Sequence, residues 1–94
     1  MVEVVRVQTG VRLEAGVLKV LKALAAYTEL GLGDLIEGIC LHAFEGKTPF
    51  SPATLQQIEK LRQVYGLRLT AADSHRLTER PAAPGHRPRR PGRK

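Results

Sequence analysis

The polar side chains with the most regular spacing lie near the N-terminus, where Arg6, Gln8 and Arg12 alternate with mostly apolar residues. Arginine donates two parallel hydrogen bonds from one planar group, and glutamine both donates and accepts. Such groups bind anions and the edges of nucleic-acid bases. Because residues two apart on a strand point to the same face, this spacing predicts one recognition face, which also includes Gly10.

The other reactive side chains do not have the spacing of a catalytic or metal-binding site. Asp73, Ser74 and His75 are contiguous, whereas the members of a catalytic triad come from separate segments of a chain. Cys40 and His42 are two residues apart in a predicted helix, so their side chains point in different directions. We interpret them as a core cysteine and a surface histidine, and we expect no enzyme activity, no metal and no cofactor.

The recognition face requires a strand, and residues 2–13 have the pattern of one. Gly10 lies in the middle of this strand, which indicates either a weak point or the close approach of another backbone. The residues between the polar positions form a mostly apolar second face at a period of two, at Val5, Val7, Thr9, Val11 and Leu13.

Two helices are predicted directly after the strand. From Glu14 onward, apolar residues recur every three or four positions, which predicts a first helix that ends near Gly31 and Gly33. The same spacing predicts a second helix from about residue 32 to residue 44, closed by Gly46. Gly38 in the middle of the second helix indicates a close helix crossing.

The next segment, residues 47–79, is predicted to be a C-terminal helical extension. Ser51 and Pro52 begin a third helix as its N-cap and first helical residue, and Gly66 ends it. Thr70 followed by Asp73 predicts a last capped turn. An apolar stripe runs along the extension at Leu55, Ile58, Leu61, Tyr65, Leu67 and Leu69.

Positive charge is concentrated at the C-terminus. The chain of 94 residues has a net charge of +6, but residues 1–79 contain nine basic and nine acidic residues. Residues 80–94 contain six basic residues, no acidic residue and many prolines and glycines, so we predict a disordered basic tail. Such a tail either binds an anionic partner or increases solubility, through Arg87, Arg89, Arg90, Arg93 and Lys94.

The size of the chain favours one small domain with a marginal hydrophobic core. Cys40 is the single cysteine, so no disulfide within the chain can stabilise it, and a reducing compartment is indicated. The sequence has no leader-like segment and no apolar run of about 18 residues, so we expect a cytoplasmic protein without a membrane partner. Oligomerisation is the expected source of additional buried surface.

The predicted strand has no partner within its own chain, which favours a homodimer. Two copies that pair antiparallel would form a two-stranded ribbon about a two-fold axis, and such a ribbon fits the major groove of DNA. The expected fold is mainly α with one β-strand per chain, in an intertwined homodimer whose ribbon covers helices of both chains. Its expected dimer core contains Val7, Val11, Leu13, Leu18, Leu21, Leu35, Ile36 and Ile39.

This arrangement resembles the ribbon-helix-helix DNA-binding family, which includes the Arc, CopG and methionine repressors. The resemblance covers about residues 4–46 and is carried by the stretches VQTGVRLEAGVLKVLKALAAY and GLGDLIEGICLHAFEGK. It implies a dimerisation and DNA-binding domain in residues 1–46. It also implies the function of a nucleoid-associated, sequence-specific transcriptional repressor that binds double-stranded DNA as a dimer or as a pair of dimers.

The resemblance implies roles for individual residues. Gln8, Gly10 and Arg12 would face the bases, although Gly10 has no side chain with which to read one. Arg6 would contact a base or a phosphate. The basic tail would add affinity without sequence preference. The start of the second helix would bind a backbone phosphate through its amides, at Gly31, Leu32, Gly33 and Asp34.

Three alternatives remain open at this point. Antitoxins of this fold use a C-terminal extension to bind and neutralise a toxin protein, and the apolar stripe of residues 55–69 is either such a docking site or plain core. A dimerisation module without DNA binding has the same pattern. Proteins that partition chromosomes or plasmids also share the fold, so the fold alone does not fix the process that is regulated.

Overall fold

The computed structural model describes residues 1–80, and the predicted tail contacts at Arg87, Arg89, Arg90, Arg93 and Lys94 lie outside these residues. Three α-helices follow an N-terminal segment: α1 (Ala15–Thr28), α2 (Leu32–Phe44) and α3 (Pro52–Val64). A short 3₁₀ helix, Ala71–Asp73, comes after them. The prediction of a mainly helical chain is confirmed. No helix within residues 1–80 could span a lipid bilayer.

The strand predicted over residues 2–13 is not formed in the described part of this single chain. Residues 1–14 have no regular secondary structure, and all of them are exposed. A strand is defined by hydrogen bonds to a neighbouring strand, and residues 1–80 of one chain supply no neighbour. Because the expected ribbon is a contact between two chains, the ribbon and the homodimer stay predictions.

Local hydrogen bonds fix both ends of α1. Glu14 is the N-cap, and its Oε1 accepts a hydrogen bond from the Val17 amide at 2.8 Å. At the other end Glu29 has a left-handed conformation with φ 61°, and the Leu30 amide bonds to the Ala25 carbonyl at 2.9 Å. The helix therefore ends just before the predicted glycines, on a residue that has a Cβ.

The predicted boundaries of α2 and α3 are confirmed. Gly31 is the N-cap of α2, and Gly46 follows the helix with φ 70°. Ser51 caps α3, because its Oγ accepts a hydrogen bond from the Thr54 amide at 3.2 Å. Gly66 follows α3 with φ 66°. Both glycines after the helices have the left-handed conformation that a side chain would strain.

The capped turn predicted after α3 is also present. The Thr70 amide donates to Asp73 Oδ2 at 2.8 Å, and the Asp73 amide donates to the Thr70 carbonyl at 2.9 Å. Within α3, Arg62 donates from Nη2 to the Leu69 carbonyl at 2.9 Å. The bond from Arg62 joins the segment after α3 to the helix that precedes it.

The hydrophobic core lies between the three helices. Leu24 and Leu35 are 2% and 3% exposed, and Ala25 lies beside them. Half-buried apolar residues pack around these three, namely Leu21, Ile39, Phe50, Ile58 and Leu61. The stripe of the C-terminal extension is therefore divided, because its middle belongs to the core whereas Leu55 and Tyr65 are exposed.

The residues predicted as dimer core fall into two groups. The helical members are buried or half-buried within the single chain, namely Leu18, Leu21, Leu35, Ile36 and Ile39. The members from the N-terminal segment are exposed, namely Val7, Val11 and Leu13. Val20 is a further core residue, which the sequence pattern does not indicate because Val20 lies beside the main apolar stripe of α1.

Two glycines that the sequence places at close contacts have open space around them. A Cβ added to Gly10 or to Gly38 would meet no atom within 4 Å. The close helix crossing predicted at Gly38 is therefore wrong for the described part of the single chain. Any close approach at Gly10 would have to come from outside residues 1–80 of this chain.

Candidate nucleic-acid interface

One end of the predicted recognition face lies beside the start of α2. Arg6 contacts two acidic side chains there, 28 and 31 residues further along the chain. Its Nε and Nη2 donate to the two carboxylate oxygens of Glu37, each at 2.8 Å. Nη2 also donates to Asp34 Oδ1 at 3.0 Å. The structure thus brings together a residue predicted to contact bases and a residue predicted to lie at a phosphate.

The pair of Arg6 and Glu37 is a charge-assisted, two-point contact on the surface. The hydrogen bond to Glu37, with the negative charges of Glu37 and Asp34, raises the pKa of the Arg6 guanidinium above its ordinary value. The hydrogen bond from Arg6 lowers the pKa of the Glu37 carboxyl. The planar geometry makes this contact stronger than a single-point ion pair, although salt screens it because both groups are exposed.

Arg12, at the other end of the recognition face, forms an ion pair with Glu79. Its Nη2 donates to a carboxylate oxygen of a residue 67 positions later, and both side chains are mostly exposed. Between the two arginines, Gln8 and Gly10 are exposed. Each arginine of the recognition face is therefore neutralised by an acid of its own chain.

The start of α2 has no side-chain cap. Gly31 is its N-cap residue and supplies no side-chain hydrogen bond, unlike the N-caps of α1 and α3. The first amides of a helix have no partner within the helix, so an uncapped start can bind an anion. Leu32 is half-buried and Gly33 is exposed. The carboxylate of Asp34 lies 3.9 Å from a Cβ built on Gly31, so a phosphate there would have to share the position with this side chain.

The second face of the N-terminal segment is apolar and open to solvent. Val5, Val7 and Val11 are 93%, 81% and 73% exposed. Single apolar side chains are ordinary on a protein surface, but a row of them on one face indicates a surface that another molecule covers.

Cys40 and His42 both lie on α2, but their side chains are not placed to bind one metal ion together. Cys40 is half-buried, and His42 is exposed with its Nδ1 2.8 Å from the Gly38 carbonyl oxygen. No group of three His, Cys, Asp or Glu side chains within residues 1–80 is placed to hold a metal ion. We therefore assign no chemical role to this pair.

A cavity of about 310 Å³ lies between α1, α3 and the segment after α3. Its walls are mainly aliphatic, from Val17, Leu67, Leu69 and Leu77. Arg62 also lines the cavity, and its Nε is buried without a hydrogen-bond partner among the described residues. The cavity marks the place where the extension folds back onto α1.

Glu37 and Glu79 are the site residues that sequence reasoning missed. Glu37 gives a weak signal, since it lies one turn after Asp34 and the two form an acidic patch near the start of a predicted helix. Glu79 gives no signal, because it lies far from Arg12 in the sequence and outside any regular secondary structure.

No protein family, curated protein or solved structure matches this chain. Its function is therefore inferred from its own residues and their arrangement.

Proposed function

We propose that this chain is a homodimeric transcriptional repressor that binds duplex DNA with sequence preference. Residues 2–13 of two copies pair antiparallel, and the resulting ribbon enters the major groove. Gln8 and Arg12 contact base edges, and Arg6 contacts a base or a phosphate. Gly10 lets the ribbon approach the DNA closely. The amides of residues 31–34 bind a backbone phosphate beside the groove.

The observation that carries this proposal is the exposed apolar face of the N-terminal segment. Val5 and Val7 are among the most exposed valines of the described chain, and the backbone around them has no strand partner there. Pairing with a second copy would remove this apolar surface from water and satisfy the backbone groups. The same pairing presents the opposite face, with two arginines from each copy, to a ligand.

The charge of the chain favours an anionic ligand. Residues 1–79 are neutral by formal charge, and the excess of positive charge lies in residues 80–94. Neutralising DNA phosphates releases counterions, so the affinity contributed by such a tail falls as salt rises. A neutral body with a basic tail thus suits a protein whose ribbon supplies sequence preference and whose tail supplies general affinity.

A module that binds a partner protein, such as an antitoxin, is the second candidate. Exposed apolar side chains on α3 favour it, since Leu55 is exposed and Val64 is 73% exposed. However, Ile58 and Leu61 pack against the core of the same chain, so less of the stripe is available to a partner than the sequence indicates. Val5 and Val7 of the N-terminal segment are more exposed than Leu55 and Val64, and this apolar surface favours the first candidate.

Fluorescence anisotropy across a salt series tests the DNA-binding proposal. The duplexes are the region upstream of the protein's own gene and a scrambled control. The proteins are the full chain, a chain that ends at Glu79, and a ribbon variant with Gln8→Ala and Arg12→Ala. A variant with Gln56→Ala and Arg68→Ala is the matched control, because it removes the same side-chain types from exposed positions of the extension.

The ribbon variant should lose its preference for the specific duplex by about tenfold, since each two-point base contact contributes discrimination of this order. The control variant should bind like the parent. The truncated chain should bind both duplexes more weakly and with a flatter salt dependence. A ribbon variant that keeps the preference of the parent would show that the ribbon does not read sequence, and the proposal would then be wrong.

A further inference from the structure

We infer that Asp34 and Glu37 form an acidic clamp that holds Arg6 and has to open before this arginine can contact DNA. The clamp consists of the three hydrogen bonds from the Arg6 guanidinium to these two carboxylates. The inference rests on the proposed function, and it names two residues of the same chain that lower DNA affinity.

The clamp uses the donors that DNA recognition needs. Nε and Nη2 of Arg6 both face Glu37, and Nη2 also faces Asp34. A guanidinium binds two phosphate oxygens, or the two acceptors of guanine, through one planar edge with two N–H groups. The edge that faces Glu37 cannot serve both partners, so a DNA contact on this edge requires the clamp to open.

The position of the clamp makes the competition direct. Asp34 is in the first turn of α2, and its carboxylate adjoins Gly31, the uncapped N-cap at which a phosphate is proposed to bind. In the free chain the two carboxylates accept hydrogen bonds from the Arg6 donors that a DNA phosphate would use. A phosphate therefore replaces an anionic partner that Arg6 already has, and the gain in free energy is smaller than for a free arginine.

Arg12 differs from Arg6 in this respect. Its contact is with one carboxylate oxygen of Glu79, and the side chains of both partners are more than two-thirds exposed. A single-point pair of exposed side chains opens readily. The competition with DNA therefore concerns Arg6, because its partner Glu37 lies on a helix and accepts hydrogen bonds through both carboxylate oxygens.

A double-mutant cycle in the full chain tests the clamp. DNA affinity is measured on the upstream duplex for the parent, Glu37→Gln, Arg6→Gln and the double variant. Glu45→Gln is the matched control, because Glu45 contacts Lys47 at 3.2 Å beyond the other end of α2. Its replacement changes the net charge equally and leaves the clamp intact. All of these positions are exposed, and circular dichroism checks that each variant keeps its helices.

Glu37→Gln should raise DNA affinity about fivefold more than Glu45→Gln does, because it removes a two-point competitor for Arg6. In the Arg6→Gln background this advantage should fall to about twofold or less, which is the effect of repulsion between Glu37 and phosphate alone. An equal advantage in both backgrounds, or none in either, would overturn the clamp.

A second measurement needs no DNA. The Arg6 Nε–H proton should exchange with water several times more slowly in the parent than in Glu37→Gln, as seen by NMR, and equal exchange rates would also overturn the clamp. If the parent binds DNA, and Glu37→Gln binds DNA with the same affinity as Glu45→Gln, the clamp is rejected and the proposed function is not. If neither the parent nor Glu37→Gln bound either duplex, the proposed function would fail, and the clamp would fail with it as a control of DNA affinity.

Discussion

The Arg6 guanidinium donates to both carboxylate oxygens of Glu37, so an N-terminal residue without regular secondary structure is attached to the second turn of α2. The contact favours the ionised form of the glutamate, whose pKa is lowered by the hydrogen bond from Arg6. A carboxyl with a lowered pKa in the folded state stabilises the fold above its unfolded pKa. That contribution is lost as the pH falls through the folded pKa.

The first prediction concerns this pH dependence. The contact between the N-terminal segment and α2 should be complete at neutral pH and should weaken in acid, as the pH falls through the lowered pKa of Glu37 and its carboxyl becomes protonated. The chemical shift of the Glu37 carboxyl carbon, followed by NMR as the pH is varied, gives the midpoint of this protonation. Arg6→Gln should move the midpoint to higher pH because it removes the group that stabilises the carboxylate. An unchanged midpoint would contradict the contact.

The second prediction concerns the core between the three helices. Leu24→Ala should destabilise the chain by about 2–4 kcal/mol, because it removes buried methyl groups and leaves a cavity that the neighbours fill only in part. Val64→Ala is the control and should change stability by about 0.5 kcal/mol or less, since Val64 is exposed on α3. Urea unfolding followed by circular dichroism measures both. A similar loss in the two variants would mean that the core lies elsewhere.

The third prediction uses two glycines with opposite surroundings. Gly38→Ala should stabilise the chain by about 0.5–1 kcal/mol, because Gly38 lies in α2, open space surrounds it, and alanine is the better helix former. Gly46→Ala should destabilise the chain by about 1 kcal/mol, since Gly46 has φ 70°. Thermal unfolding at low protein concentration compares the two. Destabilisation by Gly38→Ala would indicate a close neighbour that the single chain lacks.

Local signals made most of the helical fold predictable from the sequence. Ser51 and Pro52 mark the start of α3, and Thr70 with Asp73 marks the last turn, because capping depends on residues that are near neighbours in the chain. The packing of α3 on α1 was harder to predict from the sequence. An apolar stripe shows that Ile58 and Leu61 need a partner, but it does not distinguish a partner in the same chain from another protein.

The candidate site was predictable only in part. The alternation around Gln8 identifies a face, yet whether that face forms a strand depends on a second chain, which a single chain does not supply. The contact of Arg6 with Glu37 depends on the path of the chain over 31 residues, and a surface ion pair leaves no periodic pattern in a sequence. Long-range contacts of this kind follow from the fold and not from local propensity.

The fourth prediction concerns the segment after α3. Arg62→Met should detach this segment, because the variant keeps most of the aliphatic bulk but loses the hydrogen bond to the Leu69 carbonyl. Limited proteolysis should then cut residues 66–80 about fivefold faster or more than in the parent, since exposed backbone is cleaved when local structure opens. Arg68→Met, at an exposed position, is the control.

The same proteolysis experiment bears on the second candidate function. If the extension is held by its own chain, the parent should already resist cleavage between Ser51 and Glu79 without any partner, as the packing of Ile58 and Leu61 indicates. Rapid cleavage of the free parent, suppressed when a partner protein is added, would favour an antitoxin-like module. Equal cleavage of Arg62→Met and the parent would show that the bond to Leu69 does not hold the segment.

The fifth prediction concerns the association of two copies. A variant with Val7→Lys and Val11→Lys should raise the dimer dissociation constant by about a hundredfold or more, because each copy would bring two charges into an apolar ribbon face. Its helical content should stay that of the parent, since both valines are exposed in the single chain.

Leu55→Lys with Val64→Lys is the matched control on α3, and its dimer should be as stable as that of the parent. Sedimentation equilibrium measures all three proteins. A parent that remains monomeric at every concentration would reject the ribbon, whereas loss of the dimer only in the α3 variant would place the interface between copies on the extension.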